Sequence, residues 1–484
     1  MPDNLNGRII NATKWSALTE FIAKLINPVT GMVLARVLTP DAFGIVATLA
    51  MVTSFAGLFT DAGFHNYIVQ HDFNDEEALR KSADVAFWSN LILSIVIWGG
   101  IAIFAEQLAA LVGSPGYGFV LIVASLSILL GAFTSIQSAL YKRRMDFKTL
   151  FKVRSVSIFI PLVITVPLAF WLRSYWALVW GGLAQGLTNA ILLSFYSNWV
   201  PRFFFSLRLL TEMLSFTIWT LLESFSIWLT TYIDIFIVGS VLSQYYLGLY
   251  KTSTAVVVGI MGLITAATTP VLFASLSRLQ DNEGEFRRLF FRFQKLVGLL
   301  VIPMSVIIFS YDDLITIILL GDQWMEASGF IGLWGLTTGI TIVLSHYASE
   351  IYRAKGRPKL SVLVQWLHII VMCPVVLCTV RDGFHTLYLA RTAVRLELVL
   401  VNLIIIYKLV HFSPCDMIKN VTPSILASVP IFLIASGMKM IDNSLLSQIG
   451  AIVVSFFIYV AVIYRFPSEH HLINTFILTR KRLS

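Results

Sequence analysis

The sequence predicts an all-α membrane protein that crosses the bilayer many times, and three observations support this prediction. The chain has 484 residues, of which 57% are hydrophobic and 13% are charged, whereas an ordinary soluble domain has about 25% charged residues. Apolar stretches of about 20 residues, the length of a membrane-spanning helix, recur along the whole chain. The motif at residues 35–45 returns in degenerate form at 239–249, and each copy ends one apolar stretch and begins the next.

A hydropathy window of about 19 residues, combined with the charges of the loops, predicts about 14 transmembrane helices. They are expected near residues 10–34, 43–69, 84–111, 117–141, 151–172, 175–197, 213–239, 246–274, 291–311, 326–350, 359–380, 385–409, 420–440 and 445–464. The first residues are polar, and the apolar run that follows them is too long for a signal peptide. The first helix is therefore expected to stay in the mature protein.

Basic residues concentrate in alternate loops, for example at 142–154 and 278–295. Because basic loops stay on the cytoplasmic side, both termini are expected in the cytoplasm, and an even number of helices agrees with this. The net charge of +8 then reflects loops that lie against anionic membrane lipids. Nucleic acid is not expected as a partner.

The repeated motif predicts how the helices are grouped. Its two copies follow the first and the seventh predicted helix, so the repeat is parallel, about an axis along the membrane normal. This gives an N-terminal six-helix lobe at 1–205, a C-terminal six-helix lobe at 206–411, and an appended helix pair with a cytoplasmic tail at 412–484. Two such lobes around a central cavity are typical of secondary transporters.

Ionisable residues inside membrane helices are costly and usually face protein or water, so they are the candidates for function. In the first helix Glu20 and Lys24 are spaced i,i+4 on a polar face and can also form a purely structural pair. In the seventh helix Glu223 and Asp234 share one stripe with Thr230. Asp234 lies near the outer end of its helix, where a capping or pairing role is an alternative.

The twelfth predicted helix carries two arginines on one face. Arg391, Arg395 and Asn402 align, and Glu397 points about a third of a turn away. Two guanidinium groups on one face repel each other unless an anionic group lies opposite. Arg391 is near enough to the outer end to snorkel to the interface, whereas Arg395 lies about one turn deeper.

Motifs of soluble enzymes are absent from the sequence. The Gly-rich segment at 113–118 lacks the Gly-Lys-Ser/Thr ending of a phosphate loop and is expected to be a turn. The three cysteines lack the spacing of metal ligands. We therefore expect no catalytic residue, metal or cofactor and no enzymatic activity, and any transport would use an ion gradient, the membrane potential or the gradient of the substrate.

Several short motifs resemble those of a known family. They are Leu34-Ala-Arg-Val-Leu-Thr-Pro-Asp-Ala-Phe-Gly44, Asp61-Ala-Gly-Phe64, Asp234 leading into Val238-Gly, Leu247-Gly-Leu-Tyr250, Gly321-Asp-Gln-Trp324 and Ala354-Lys-Gly-Arg357. In this order they resemble the bacterial polysaccharide-unit flippases of the multidrug/oligosaccharidyl-lipid/polysaccharide exporter superfamily, of the lipopolysaccharide, exopolysaccharide and teichuronic-acid type. The resemblance implies twelve core helices in two lobes plus two more. It also implies translocation of undecaprenyl-diphosphate-linked oligosaccharide across the bacterial cytoplasmic (inner) membrane, with other polysaccharide assembly proteins as further partners.

A diphosphate headgroup needs a wet, cationic cavity to cross the hydrocarbon core. We therefore expect Lys24, Arg391 and Arg395 to bind substrate, since arginine suits bidentate binding of phosphate. Glu20, Glu223 and Asp234 are then the candidates for gating or ion coupling.

Three other functions are considered. An ion-coupled drug or metabolite antiporter of the same superfamily would use Glu223 and Asp234 to bind a cationic substrate. A membrane-bound glycan polymerase or ligase would need an extended extracytoplasmic loop, and the sequence has none. A passive scaffold would tolerate neutral residues at all of the buried charges.

Overall fold

The computed structural model describes residues 2–441 and 444–467, with side chains except at 2–13, 61–63, 215–220, 222–223 and 440. Every regular element in these ranges is helical. The chain forms two compact units, Met1–Thr252 and Ser253–Ser484, and each is described by itself. The predicted tail beyond residue 467 lies outside the described residues.

The first unit consists of ten helices and the beginning of an eleventh. They are α1 (Pro2–Val37), α2 (Pro40–Gln70), α3 (Glu76–Ile103), α4 (Ala105–Leu111), α5 (Gly118–Ala124), α6 (Leu126–Arg143), α7 (Phe147–Ile160), α8 (Val166–Leu172), α9 (Trp176–Tyr196), α10 (Leu207–Val241) and α11 (Gln244–Arg278). A π-helical turn at Pro161–Thr165 joins α7 to α8. Such turns are usual where a proline removes a donor from the helix.

The second unit contains the rest of α11 and eight further helices. These are α12 (Glu283–Ser310), α13 (Asp312–Leu319), α14 (Ser328–Thr341), α15 (Ala348–Ala354), α16 (Lys359–Thr379), α17 (Phe384–Val410), α18 (Pro414–Ile441) and α19 (Leu445–Ile463). A 3₁₀ turn at Asp322–Ala327 precedes α14, and a π-helical turn at Ile342–His346 follows it. Helix α17 packs against α14 and α16, while α12 packs against α14 and α18.

The part of the chain that the structure describes has 13 helical stretches long and apolar enough to cross a membrane. The prediction of an all-α, multi-pass membrane protein is therefore confirmed. Helix α17 is present where the twelfth span is predicted, but it carries Arg391, Arg395 and Glu397 and is not among those 13 stretches. The total of fourteen spans stays a prediction.

The repeated motif forms the same turn twice. Helix α1 ends at Val37 and α2 begins at Pro40, while α10 ends at Val241 and α11 begins at Gln244. When the two motifs are superposed, Val37 aligns with Val241 and Pro40 aligns with Gln244. Both copies therefore break the helix after the same residue and restart it at the same residue.

The two turns also contact each other within the first unit, in a reciprocal way that we call the corner contact. A Cβ atom on Gly44 would lie 1.9 Å from the carbonyl oxygen of Gln244, and a Cβ atom on Gly248 would lie 1.9 Å from the carbonyl oxygen of Pro40. Gly44 aligns with Gly248, and Pro40 aligns with Gln244. The backbones approach so closely that only glycine fits at either position.

The core of the first unit forms mainly between α2, α3 and α6. It includes the buried side chains of Phe64, Ile68, Phe87 and Ile136. Helix α10 packs along α2, which is why the first unit extends to Thr252. The predicted lobes at 1–205, 206–411 and 412–484 stay a prediction.

Candidate functional site

Two arginines on α17 lie on one tryptophan of α14. The Cζ atoms of Arg391 and Arg395 lie 5.3 and 4.0 Å from the centre of the Trp334 ring. Trp334 is buried, and Arg391 is only 8% exposed. Guanidinium groups at this distance are attracted to the negative face of the indole, and they are less strongly hydrated than an ammonium group. Trp334 therefore provides a surface on which two cations can stay inside the unit.

Thr338 fixes the second arginine. Its hydroxyl group donates to the carbonyl of Trp334 at 2.6 Å, which leaves its lone pairs to accept from Arg395 Nη1 at 2.7 Å. Thr338 and Trp334 lie one turn apart on the same face of α14. The guanidinium of Arg395 is thus held by a hydrogen bond on one helix and by the ring below it. We call Arg391, Arg395, Trp334 and Thr338 the arginine site.

The acidic residue of α17 has a separate partner. Glu397 Oε2 accepts a hydrogen bond from Nδ1 of His368 on α16, at 3.0 Å. The sequence places Glu397 about a third of a turn from the arginines, and in the structure it contacts α16 whereas the arginines contact α14. The carboxylate and the cations of α17 therefore serve different faces of the helix.

Asn402 extends the polar face of α17 toward the π-helical turn. Its Nδ2 donates to Ser345 Oγ at 2.8 Å, and its Oδ1 accepts from Tyr352 Oη at 2.8 Å. Ser345 belongs to the π-helical turn at Ile342–His346. Turns of this kind recur at functional sites because they widen a helix locally and redirect its side chains. The alignment of Arg391, Arg395 and Asn402 predicted a polar face, and the structure has Arg391 and Asn402 buried on it.

Asp234 lies buried near the end of α10. Its Oδ2 accepts from Tyr250 Oη at 2.7 Å, and its Oδ1 accepts from the backbone N–H of Ile235 at 2.8 Å. Lys251, the next residue of α11, places Nζ 5.7 Å from the ring of Tyr232, and its charge interacts with that of Asp234. The carboxylate thus joins α10 to α11 next to the corner contact, which is consistent with the pairing role that the sequence left open.

The other candidate residues of the first unit are distributed along α1 and α10. Glu20 is exposed and Lys24 is half-buried, and no ion pair joins these two described side chains. Their spacing permits a structural pair, but the structure does not form it. Glu223 lies in α10, and its side chain is outside the described residues.

The family profile for polysaccharide biosynthesis protein matches residues 33–329. This is more than half of the chain. The chain belongs to this family. The matched residues include both copies of the repeated motif and end before Trp334 and α17.

One relative is the succinoglycan biosynthesis transport protein ExoT of Rhizobium meliloti. It is 25% identical over 352 residues, which cover 73% of this chain and 70% of ExoT. Among solved structures, the lipid II flippase MurJ in an inward closed conformation has a TM-score of 0.71 and 12% identity, covering 94% of this chain and 99% of that chain. An inward-facing multidrug resistance transporter of the MATE family has a TM-score of 0.59 and 12% identity, covering 82% of this chain and 96% of that chain. This member of the polysaccharide biosynthesis family therefore shares the fold of these two solved structures.

Sequence reasoning missed the partners of the charged residues. Trp334 and His368 look like ordinary members of apolar helices, and nothing in their spacing predicts that they meet α17. The helix predicted near 246–274 contains Lys251, which lies in α11, but hydropathy does not predict that this lysine interacts with Asp234.

Proposed function

We propose that this protein moves undecaprenyl-diphosphate-linked oligosaccharide units across the bacterial cytoplasmic membrane by alternating access, for the synthesis of a surface polysaccharide. Three findings support the proposal: the family, the relative ExoT and the fold shared with MurJ. Transport of this kind needs no covalent chemistry by the protein. Lipid-linked oligosaccharide and membrane lipids are the partners, and other polysaccharide assembly proteins are further candidates.

The arginine site is the observation that carries this proposal. A lipid diphosphate is strongly anionic, so it needs cations that remain charged inside the membrane region. Arg391 and Arg395 belong to α17 and lie on Trp334 of α14. Guanidinium groups also match the geometry of phosphate oxygens through paired hydrogen bonds.

The remaining candidates take secondary roles in this proposal. Lys24, half-buried in α1, is a third cation for the headgroup. Glu20, Glu223 and Asp234 are the carboxylates for gating or for coupling to an ion gradient. Both termini lie in the cytoplasm, because the loops that would face it carry most of the basic residues.

Reconstitution tests the proposal. The purified protein is placed in liposomes with an undecaprenyl-diphosphate oligosaccharide, and the appearance of the glycan in the opposite leaflet is followed with and without an imposed ion gradient. We expect transfer that depends on the protein. The double variant Arg391→Gln and Arg395→Gln should abolish it, because a buried diphosphate would lose both counter-charges.

Arg381→Gln is the matched control, because Arg381 is an exposed arginine of the same unit outside the arginine site. This variant should transfer the lipid at the wild-type rate. Normal transfer by the double variant would remove the arginine site from the mechanism. Uptake of a small organic cation without transfer of any lipid-linked glycan would favour the antiporter instead.

A further inference from the structure

A groove in the first unit, between α2 and α6, is lined almost entirely by hydroxyl groups and glycine. Its volume is about 320 Å³. The lining residues are Thr53, Gly57, Thr60, Ser127, Ile128, Gly131, Thr134, Ser135 and Ser138. None of them carries a charge, so the search for ionisable residues in the sequence could not find this groove.

The lining residues repeat at helical spacing on both walls. On α2 they are Thr53, Gly57 and Thr60, at i, i+4 and i+7, and on α6 the same spacing begins at Ser127 and reaches Ser138. The helices run in the same direction, since Arg143 at the end of α6 donates to the carbonyl of His71 just after α2, at 2.6 Å. The wall on α6 is about 16 Å long, at 1.5 Å per residue.

The hydroxyl groups present acceptors to the groove. Four of them donate to a carbonyl one turn earlier in their own helix, and the fifth, Ser127, donates to the carbonyl of the last residue of α5. Each of the five therefore keeps its oxygen lone pairs for another donor. These bonds are Thr53 to Ala50 at 3.2 Å, Thr60 to Gly57 at 3.2 Å, Ser127 to Ala124 at 2.7 Å, Thr134 to Gly131 at 3.0 Å and Ser138 to Ser135 at 2.9 Å.

The usual structural reasons for small and hydroxylated residues do not account for this groove. Small residues between membrane helices normally allow close packing, and hydroxyl groups normally bond across to the neighbouring helix. A Cβ atom on Gly57 or Gly131 would meet nothing within 4 Å, so neither glycine is there for close packing. Each of the five hydroxyl bonds above joins residues three positions apart in the chain, and none of them joins α2 to α6. The two walls leave space where packing helices would fill it.

The groove also differs from a surface that faces lipid. Helix α3 of the same unit exposes Ile92, Ile95 and Val96, as expected for contact with hydrocarbon. A wall of hydroxyl groups facing hydrocarbon would lack the favourable transfer of apolar side chains into lipid, and such a wall is better solvated by water or by a polar ligand.

Lys142 and His65 lie at the end of the groove that is nearest the C-terminal ends of α2 and α6. Lys142 Nζ can only donate, so His65 Nε2 accepts from it at 3.1 Å, and His65 Nδ1 carries the hydrogen that it donates to the carbonyl of Ser135 at 3.1 Å. Ser135 lines the groove. The cationic side chain of Lys142 is therefore held at one end of a groove whose lining residues carry no charge.

We propose that this groove binds the glycan of the lipid-linked substrate, through hydroxyl acceptors on α2 and α6, as an uncharged subsite distinct from the arginine site. The inference rests on the proposed function and adds to it the surface that recognises sugar. Sugar hydroxyls are neutral, closely spaced donors, which is the chemistry that a row of hydroxyl acceptors complements. Glycines without neighbours leave the width that a sugar ring needs.

A groove-filling substitution tests this proposal. Gly57→Leu places a side chain into the open space, whereas Gly99→Leu in α3 is the matched control, because a Cβ atom on Gly99 also meets nothing within 4 Å and Gly99 does not line the groove. Binding of two probes to the full-length protein in nanodiscs is measured: undecaprenyl diphosphate alone, and undecaprenyl diphosphate carrying an oligosaccharide.

We expect wild-type protein and Gly99→Leu to bind the glycosylated lipid more tightly than the bare lipid. Gly57→Leu should lose about tenfold or more of the affinity for the glycosylated lipid, which is the loss of one or two hydrogen bonds and of the sugar's space, and should bind the bare lipid as wild type does. Equal affinities of Gly57→Leu and wild type for the glycosylated lipid would overturn the groove assignment alone. A parallel loss for both lipids would do the same, since it would indicate a general structural effect. Failure of wild-type protein to bind either lipid would overturn the proposed function, and the groove assignment with it.

Discussion

The arginine site and the groove between α2 and α6 are two polar regions of this membrane protein, and they are polar in different ways. In the second unit, Arg391 and Arg395 keep full charges inside the protein by lying on Trp334. In the first unit, the groove between α2 and α6 has no charged lining residue. Its hydroxyl groups, such as those of Thr134 and Ser138, donate to their own helix and keep their oxygen lone pairs for another donor. The first arrangement suits an anion, and the second suits a neutral ligand with many donors.

This difference explains how one transporter could handle a substrate with two unlike parts. A diphosphate needs strong, localised counter-charge, whereas a glycan needs many weak contacts that do not hold it too firmly to be released. A neutral hydrogen bond contributes about 0.5–1.5 kcal/mol, and a hydrogen bond to a charged group contributes about 1.5–3 kcal/mol. Of the four predictions below, the first tests the corner contact that supports α2, and the other three test whether the two sites are separate and differ in this way.

The largest effect is expected from Gly44→Val, which breaks the scaffold of the groove. The new side chain would overlap the carbonyl oxygen of Gln244, because even a Cβ atom would lie 1.9 Å from it. Backbone cannot yield as a flexible side chain does, so we expect a loss of about 3 kcal/mol or more in stability. Thermal unfolding in detergent and the yield of folded protein measure it.

Gly100→Val is the control for this change, since a Cβ atom at Gly100 in α3 meets nothing within 4 Å. Its unfolding temperature should stay within a few degrees of wild type. Wild-type stability of Gly44→Val would show that the corner contact is looser than the structure has it.

The next effect is expected from exchanging both arginines for lysine. The double variant Arg391→Lys and Arg395→Lys keeps the charge but loses the planar group that lies on Trp334 and donates to Thr338. We expect transport of the glycosylated lipid to fall about tenfold. Affinity for bare undecaprenyl diphosphate should fall with it, because this site is expected to contact the phosphates.

Transport rates and lipid affinities in liposomes are compared with those of Arg381→Lys, an exposed position of the same unit. A double lysine variant that transports at the wild-type rate would mean that charge alone suffices. A loss confined to the glycosylated lipid would mean that the arginines contact sugar, and the division between the two sites would be wrong.

A smaller effect is expected from removing hydroxyl groups of the groove. Thr134→Val preserves shape but removes an acceptor, and it should weaken binding of the glycosylated lipid about fivefold while leaving the bare lipid unchanged. Thr422→Val is the matched control, since Thr422 is a half-buried threonine of α18 that, like Thr134, donates to a carbonyl of its own helix, at 2.9 Å.

Competition binding with the two lipids in nanodiscs measures both variants. Equal weakening by Thr134→Val and Thr422→Val would point to a general effect on the helices. No change at Thr134 would remove this residue from the set of glycan contacts.

The smallest effect is expected from Lys142→Gln at the basic end of the groove. Lys142 is exposed, so it attracts an anionic substrate without holding it, and its field is screened by salt. We expect kcat/KM for the lipid-linked glycan to fall about threefold at low ionic strength, mainly through KM, and the deficit to vanish at high salt.

Lys148→Gln removes the same charge from another exposed lysine of this region and should have less effect. The rate is measured at several salt concentrations. A deficit of Lys142→Gln that persists at high salt would show that the lysine contacts the substrate directly.

The sequence predicted the arginine site in part and the groove not at all. Ionisable residues are rare in apolar helices, so Arg391 and Arg395 could be recognised as a pair on one face. Their support by Trp334 depends on how α14 packs against α17, which periodicity does not contain. Serine and threonine are common in membrane helices, and the spacing of Thr53 and Thr134 becomes meaningful only once α2 and α6 are known to be neighbours.

The same limit applies to the ends of helices and to local pairs. The predicted helix at 84–111 is interrupted at Phe104, between α3 and α4. The sequence did not predict this break because a hydropathy window averages over it. Glu20 and Lys24 have the spacing of an ion pair, yet Glu20 is exposed and no ion pair joins them. The turns of the repeated motif were predicted from two short segments, whereas their contact with each other required three-dimensional coordinates.

The corner contact has the form of a symmetric homodimer interface. Gly44 meets the carbonyl of Gln244, and its counterpart Gly248 meets the carbonyl of Pro40, the counterpart of Gln244. In an interface with twofold symmetry, residue i of one subunit meets residue j of the other and residue j meets residue i. Within one chain, each of the two glycines is needed at its own position, because each lies against a different carbonyl oxygen and a change at one does not relieve the other.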